Sequence, residues 1–460
     1  MKFKEFGKAL LLSALSAGVV LGVTSCAQSY SVGYLYVTGT ETADSSGAGI
    51  VSGFRIDHNT GKLTAINGLP VSSGGANPVR AVLLDGSTFL YVLNRGTSSN
   101  PAGTSICTTK YPCSNYNITQ FSVGANGSLT EEQVYCAIQT AQCSKPILQG
   151  INPTRLIADS TGTHLYVLDH DSPNTASEST AANGCYQALG TTTCGDITAF
   201  SIDSTTGLLS LIQNSGTLVN GQDLTYFPVP SNPVDSTISG GYIFTLYATT
   251  NADVDSTTGA YTGGSWVFPY AYSSTSGLLT AVSSGQSLGI SEGTAIVTGG
   301  SYVYVLDNEA GSTSAHSQIL AYGPTIGANG ALQAATNSVI PDDVSEADPI
   351  DLVVENKGSW FYVANQKGVG TDTATGGIAG YVINNPFDPT EISGSPFGSG
   401  SGPQCIVEDP SNQFFYEANF NDSTVTGQKL DNNAGVLTPF SQSYALKGPA
   451  TWCLVDGRTD

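Results

Sequence analysis

Charge is what this 460-residue chain has least of: Asp, Glu, Lys and Arg together make up 11% of it. The cations are scarcest, with 15 Lys plus Arg against 36 acidic residues, for a net charge of −21. Nucleic acid and anionic lipid surfaces both require basic patches, so nucleic-acid binding is excluded as a function class. Histidine numbers four (His58, His164, His170 and His316), none at metal-finger spacing, and no Cys-x-x-Cys pair occurs, which argues against a zinc site. No Walker loop or H-E-x-x-H motif appears, so nucleotide enzymes and zincins receive no support. The run NADVD from Asn251 to Asp255 alternates acidic residues as calcium loops do. It carries Ser256 where such loops need Gly and Thr262 where they need Glu, so it reads as a plain acidic loop. No cofactor is expected, and calcium has no support beyond that loop.

What is abundant is Gly, Ser and Thr, the composition of short strands joined by turns. The N-terminus differs. Lys2 and Lys4 precede an apolar run from Ala9 to Val23, too short for a stable span, which ends in VTSC at Val23 to Cys26. That ending resembles a bacterial lipobox, which implies acylation of Cys26, removal of residues 1–25 and anchoring at the cell envelope. Residues 26–32 then read as a lipidated linker and 33–460 as one folded domain.

Eight further cysteines, an even number in an exported chain, predict disulfides. Cys107 with Cys113, Cys136 with Cys143 and Cys185 with Cys194 are close in sequence, each pair inside a turn-rich insertion. Cys405 and Cys453 lie about one repeat apart on two Pro-led segments. Counting from each Pro gives them the same facing, which predicts either a bridge between adjacent strands or two buried free thiols.

The segment FLYVLNRG from Phe89 recurs as HLYVLDHD from His164, YVYVLDNE from Tyr302, WFYVANQK from Trp360 and FFYEANFN from Phe414. A Pro-led apolar stretch precedes all but the Tyr302 copy, as in NPVRAVLLDGS from Asn77. A strand such as ITAFSID from Ile197 and a turn such as DSTTG follow. Self-similarity at this period signals a propeller or another array. The Pro-led stretch starts at Asn77, Asn152, Asn232, Asp348, Gly402 and Gly448, with a Pro-less copy at Glu292. The third-strand pattern occurs at Val51, Ile118, Ile197, Trp266, Ile319, Ile378 and Val425. The first Tyr-Val copy, at Tyr34, has no Pro-led strand before it, and the last Pro-led copy has no Tyr-Val strand after it. Together they predict an all-β, seven-bladed propeller of four-stranded antiparallel blades, closed by the N-terminal strands joining the C-terminal innermost strand. The repeated tyrosines are expected to pack between blades.

These YVxN, FxID..TGxL and xPxR elements resemble the seven-bladed lactonase family, which includes bacterial 6-phosphogluconolactonase and YVTN-repeat proteins. The resemblance covers nearly all of the chain from Tyr34 onward. It implies hydrolysis of a sugar lactone or related cyclic ester, here outside the cytoplasm. The chain departs from the pattern where relatives carry a His beside the Pro-led motif.

Alternation of strands places the starts of the Pro-led strands and the ends of the Tyr-Val strands on one face, together with all the long insertions. A pocket at that mouth of the channel is expected. Two residues past each Pro stand Arg80, Arg155, Asp235, Asp351, Cys405 and Thr451. Arg80 or Arg155 is the candidate oxyanion stabiliser, and Asp235, Asp351 or His170 the candidate base. The same charges are equally a structural ion-pair ring. Asn94, Arg95, Asp169, Asp307, Asn365 and Asn419, at the strand ends on that rim, are the candidate substrate contacts. The partner expected is a small lactone or carbohydrate, met by a monomer. A non-catalytic propeller that binds a carbohydrate or protein at the cell surface is the alternative.

Overall fold

Each repeat folds into one blade of a seven-bladed propeller in the computed structural model. The structure describes residues 30–457, except 42–46, 85–87, 99–112, 115, 137–142, 144, 172–194, 220–221, 231–232, 248–263, 284, 291, 309–316, 344–345, 369–375 and 386. Cys26, Cys107, Cys185, Cys194 and the acidic loop at 251–255 lie outside the described residues, as does the side chain of Cys113.

Blade 1 holds both chain ends: Ser31–Thr40 pairs with Ala48–Asp57 on one side and with the C-terminal strand Ala450–Asp456 on the other. This is the expected closure, and it leaves no half-built blade at the chain ends. The innermost strands of blades 2 to 7 are Pro78–Leu83, Ile151–Ala158, Pro233–Ser239, Gly293–Gly299, Glu346–Val354 and Pro403–Glu408. Each pairs antiparallel with its Tyr-Val strand. Seven apolar clusters fill the seven gaps between neighbouring blades, so the core is a ring of wedges.

The repetition has a specific cause. In four blades the Tyr of the Tyr-Val strand crosses to the next blade and donates its hydroxyl to the glycine carbonyl of that blade's outer turn. Tyr36 reaches Gly127 at 2.7 Å, Tyr91 reaches Gly207 at 2.6 Å, Tyr362 reaches Gly435 at 2.7 Å and Tyr416 reaches Gly61 at 2.6 Å. These glycines hold positive φ. A Cβ on Gly207 would lie 2.6 Å from the Phe89 ring, so only glycine fits. The Tyr-Val and TG motifs therefore recur together because each is half of one interblade contact.

Candidate active site on the propeller axis

Every innermost strand carries a bulge one residue past its Pro. The register steps between Pro78 and Arg80, Pro153 and Arg155, Pro233 and Asp235, Gly293 and Ala295, Pro349 and Asp351, and Pro403 and Cys405. A bulge re-aims the side chain that follows it. Here that side chain turns toward the next blade and meets the residue after that blade's own bulge position. Asp235 Oδ2 accepts from the Ile296 N–H at 2.9 Å, and Asp351 Oδ2 from the Ile406 N–H at 3.1 Å. Arg155 Nε donates to the Ser236 carbonyl at 3.4 Å, and Cys405 is disulfide-bonded to Cys453.

In blade 1 the step falls between Ala450 and Trp452, because Ala450 pairs with Gly39 and Trp452 with Thr38. Ala450, not Pro449, thus occupies the proline position, and Trp452, not Thr451, stands level with Arg80. Sequence counting missed Trp452 for this reason. Counting back six residues from the acid that closes each strand reveals it: Asp159, Glu355, Asp409 and Asp456 lead back to Pro153, Pro349, Pro403 and Ala450. Those acids hold the turn that follows; Asp409, for example, accepts the Gln413 and Phe414 N–H groups.

The result is a layer of side chains across the axis. The Arg80 guanidinium lies 3.2 Å from the centroid of the Trp452 ring, and that of Arg155 lies 5.4 Å away. Arg155 donates to Asp235 Oδ2 through Nη2 at 2.7 Å and touches Oδ1 through Nε; Arg80 Nη2 is 3.9 Å from Asp235 Oδ1. One nitrogen of each guanidinium, Nη1, is buried without a hydrogen-bond partner, so the layer holds donors in excess. Burial raises the Asp351 carboxyl to about 7, against the lowering by the Ile406 N–H and by Arg155. Burial also raises Asp235, with Arg155 opposing it.

Four of the expected site residues, Arg80, Arg155, Asp235 and Asp351, are therefore together. His170 is not with them. It lies near the end of His164–Asp171, outside the cavity lining. The strand-end residues also sit elsewhere. Asn94 is fully buried in a bracket between strands, accepting from Ser73 Oγ at 2.6 Å and donating to Asn117 Oδ1 at 2.8 Å. Asp307 accepts from Gln318 and the Glu292 N–H, and Asn419 donates to Thr426. Asp169 and Asn365 are buried at the matching positions, opposite Pro153 and Pro349. Arg95 donates to the Pro153 carbonyl at 3.0 Å, tying blade 2 to blade 3. None of the six lines the cavity.

A cavity of about 720 Å³ runs down the axis from the charged layer toward the C-terminal ends of the innermost strands. Its lining begins at Arg80, Arg155, Asp351 and Trp452 and continues to Leu83, Ala158, Asn356, Glu408 and Val455, toward the short turns. The expected pocket at the insertion face is thus replaced, among the described residues, by one that the Arg–Asp layer floors. The physical reason is the bulge, which folds the long charged side chains across the axis and closes the channel at their level. The run Gly289 to Gly293 matches G-x-S-x-G by letter, but a strand, Gly293–Gly299, follows it where a nucleophile elbow needs a helix.

No protein-family model matches the chain, and no curated protein matches it in sequence. Solved structures do match in fold. A 6-phosphogluconolactonase candidate from Bacteroides uniformis superposes with TM-score 0.60 at 13% identity, covering 93% of this chain and all of that one. A second, from Bacteroides fragilis, gives 0.60 at 13% over 92% and 98%. The periplasmic gluconolactonase PpgL of Pseudomonas aeruginosa gives 0.55 at 15% over 92% and 99%. Their likeness to this chain is one of fold: a seven-bladed propeller of lactonase type, carrying here an axial cavity with an arginine and carboxylate floor.

Proposed function

We propose that this propeller hydrolyses a lactone or related cyclic ester in its axial cavity. The observation that carries the reading is the meeting of Arg80, Arg155 and Asp351 on the floor of a ligand-sized space. Opening a lactone requires a base for the attacking water and positive charge for the oxyanion. Asp351, with its carboxyl near neutrality, takes the proton of a water that attacks the ester carbon. Arg80 and Arg155 stabilise the oxygen on which charge develops. The ring oxygen then leaves and receives the proton from Asp351, which returns to its starting state with the hydroxy acid as product.

The test is hydrolysis of a lactone panel by the purified protein. Arg80→Ala and Asp351→Asn should each lower kcat/KM by ~100-fold or more with the fold intact. The wild-type rate should rise as pH climbs through about 7, because the Asp351 carboxyl must lose its proton to serve as base. Undiminished rates in both variants would sink the mechanism. Arg155 and Asp235 spend charge on each other, and this favours a second reading, a propeller that binds a carbohydrate or protein without turnover.

The Cys136–Cys143 and Cys405–Cys453 disulfides fit an oxidising compartment, and with the leader they support export. Lipid anchoring through Cys26 completes the proposal.

A further inference from the structure

Above the charged floor the cavity wall is aliphatic. Each inner strand turns one or two small hydrocarbon side chains to the axis, among them Val82, Ile157, Ile238, Val297, Val353 and Val407. All six are only partly buried, so the cavity presents apolar surface. Above the floor few polar side chains line the wall, and among them Glu408 Oε1, at the far end, is buried without a partner. Thr237 and Thr298 hydrogen-bond each other at 3.0 Å, and the Thr298 N–H also goes to Thr237 Oγ1. At the far end, the Asn356 N–H donates to Glu408 Oε2 at 2.8 Å.

A sugar lactone in this space would bring several hydroxyls to a wall whose middle, between the arginine floor and Glu408, is aliphatic. Each hydroxyl buried unpaired weakens binding roughly tenfold. An alkyl chain gains instead, by about fourfold for each methylene removed from water.

We propose that the substrate is a cyclic ester bearing an alkyl chain, its ring on the Arg80–Arg155–Asp351 floor and its chain along the aliphatic wall. This rests on the lactonase reading and names the substrate class within it.

The experiment compares kcat/KM of the full-length protein for γ-valerolactone, γ-octalactone, γ-decalactone and glucono-δ-lactone. In parallel, calorimetry follows binding of the matching alkyl γ-lactams, whose amide ring resists opening. The expected result is a rise of about fourfold per added methylene in both series until the cavity is filled, with glucono-δ-lactone far behind. Val353→Asn, in the aliphatic wall, should flatten that rise in both the lactone and the lactam series. A preference for glucono-δ-lactone with no dependence on chain length overturns the alkyl assignment and leaves the lactonase reading standing. Lactams that bind with the expected rise, with no lactone opened, overturn catalysis and support the alkyl site. Neither binding nor turnover overturns both.

Discussion

Glu417 offers the sharpest test of how burial sets the energetics of this fold. It occupies the place that Val92, Val167, Val305 and Val363 fill in other Tyr-Val strands, and it is fully buried in blade 7. Its carboxylate oxygens accept from Gln428 Nε2 and, at 3.2 Å, from Thr426 Oγ1. Burial moves the carboxyl from 4.5 to about 7, and the two hydrogen bonds only partly oppose that. The folded chain therefore keeps a proton on Glu417 over a pH range in which the unfolded chain has lost it. Stability from this group is complete below about 4.5 and falls as pH rises, until the folded carboxyl also ionises near 7. At about 1.4 kcal/mol per pH unit, that loss amounts to about 3 kcal/mol. Asp342 at about 7, Glu346 at about 8 and Glu408 at about 8 are raised by burial as well, so the protein as a whole should be less stable at pH 8 than at pH 5. Glu417→Gln removes one such component. It also supplies an N–H for Gln428 Oε1, which is buried without a partner. Denaturant unfolding at pH 5, 6, 7 and 8 should show the variant about 1 kcal/mol more stable than wild type at pH 5 and about 3 kcal/mol more stable at pH 8. Parallel curves for the two proteins across that range would refute the reasoning.

Three further outcomes are expected. Replacing Cys405 and Cys453 together by Ser should lower unfolding free energy by about 4 kcal/mol, the entropy of releasing a 48-residue loop, and reductant should reproduce the loss in wild type; a loss near zero would show that the ring closes without the bridge. Gly207→Ala should cost about 2 kcal/mol or more, from positive φ and from contact with Phe89, and a Tm equal to wild type would contradict the Tyr91–Gly207 account. Cys26→Ala should move the protein from the membrane fraction to the soluble fraction, and an unchanged partition would exclude lipidation of that residue.

The fold was legible because its repeating unit is also its unit of contact. Tyr91 and Gly207 belong to different blades, yet most copies of the sequence carry both motifs, so reading one repeat amounts to reading the interface between two. The strand ends were harder. Asn94 and Asp307 look like rim residues by alternation alone, but each stands opposite the proline position of its inner strand. Each is already committed, Asn94 to Ser73 and Asn117, and Asp307 to Gln318 and the Glu292 N–H. The side of the channel that carries the cavity was not legible at all. It depends on which way Arg80 and Arg155 fold after the bulge, and a bulge leaves no residue signature in a strand led by Pro.

The bulge also explains why the bridge between Cys405 and Cys453 exists although the facing inferred for it does not hold. Counted from Pro403 and Pro449, the two cysteines share a facing, and side chains that share a facing on neighbouring inner strands do not meet. The true frame, starting at Ala450, puts Cys405 directly after its bulge and Cys453 one place further. Those positions meet wherever two blades are joined near the axis: Asp235 with Ile296, Asp351 with Ile406, Arg155 with Ser236. The disulfide is thus the covalent version of a contact made elsewhere by a carboxylate and an N–H. It ties the C-terminal strand, which is held to Ser31–Thr40 by hydrogen bonds alone, to the inner strand of blade 7. Because Trp452 precedes Cys453, the same link holds the ring on which Arg80 rests, and closure of the propeller and the shape of the cavity floor become one constraint.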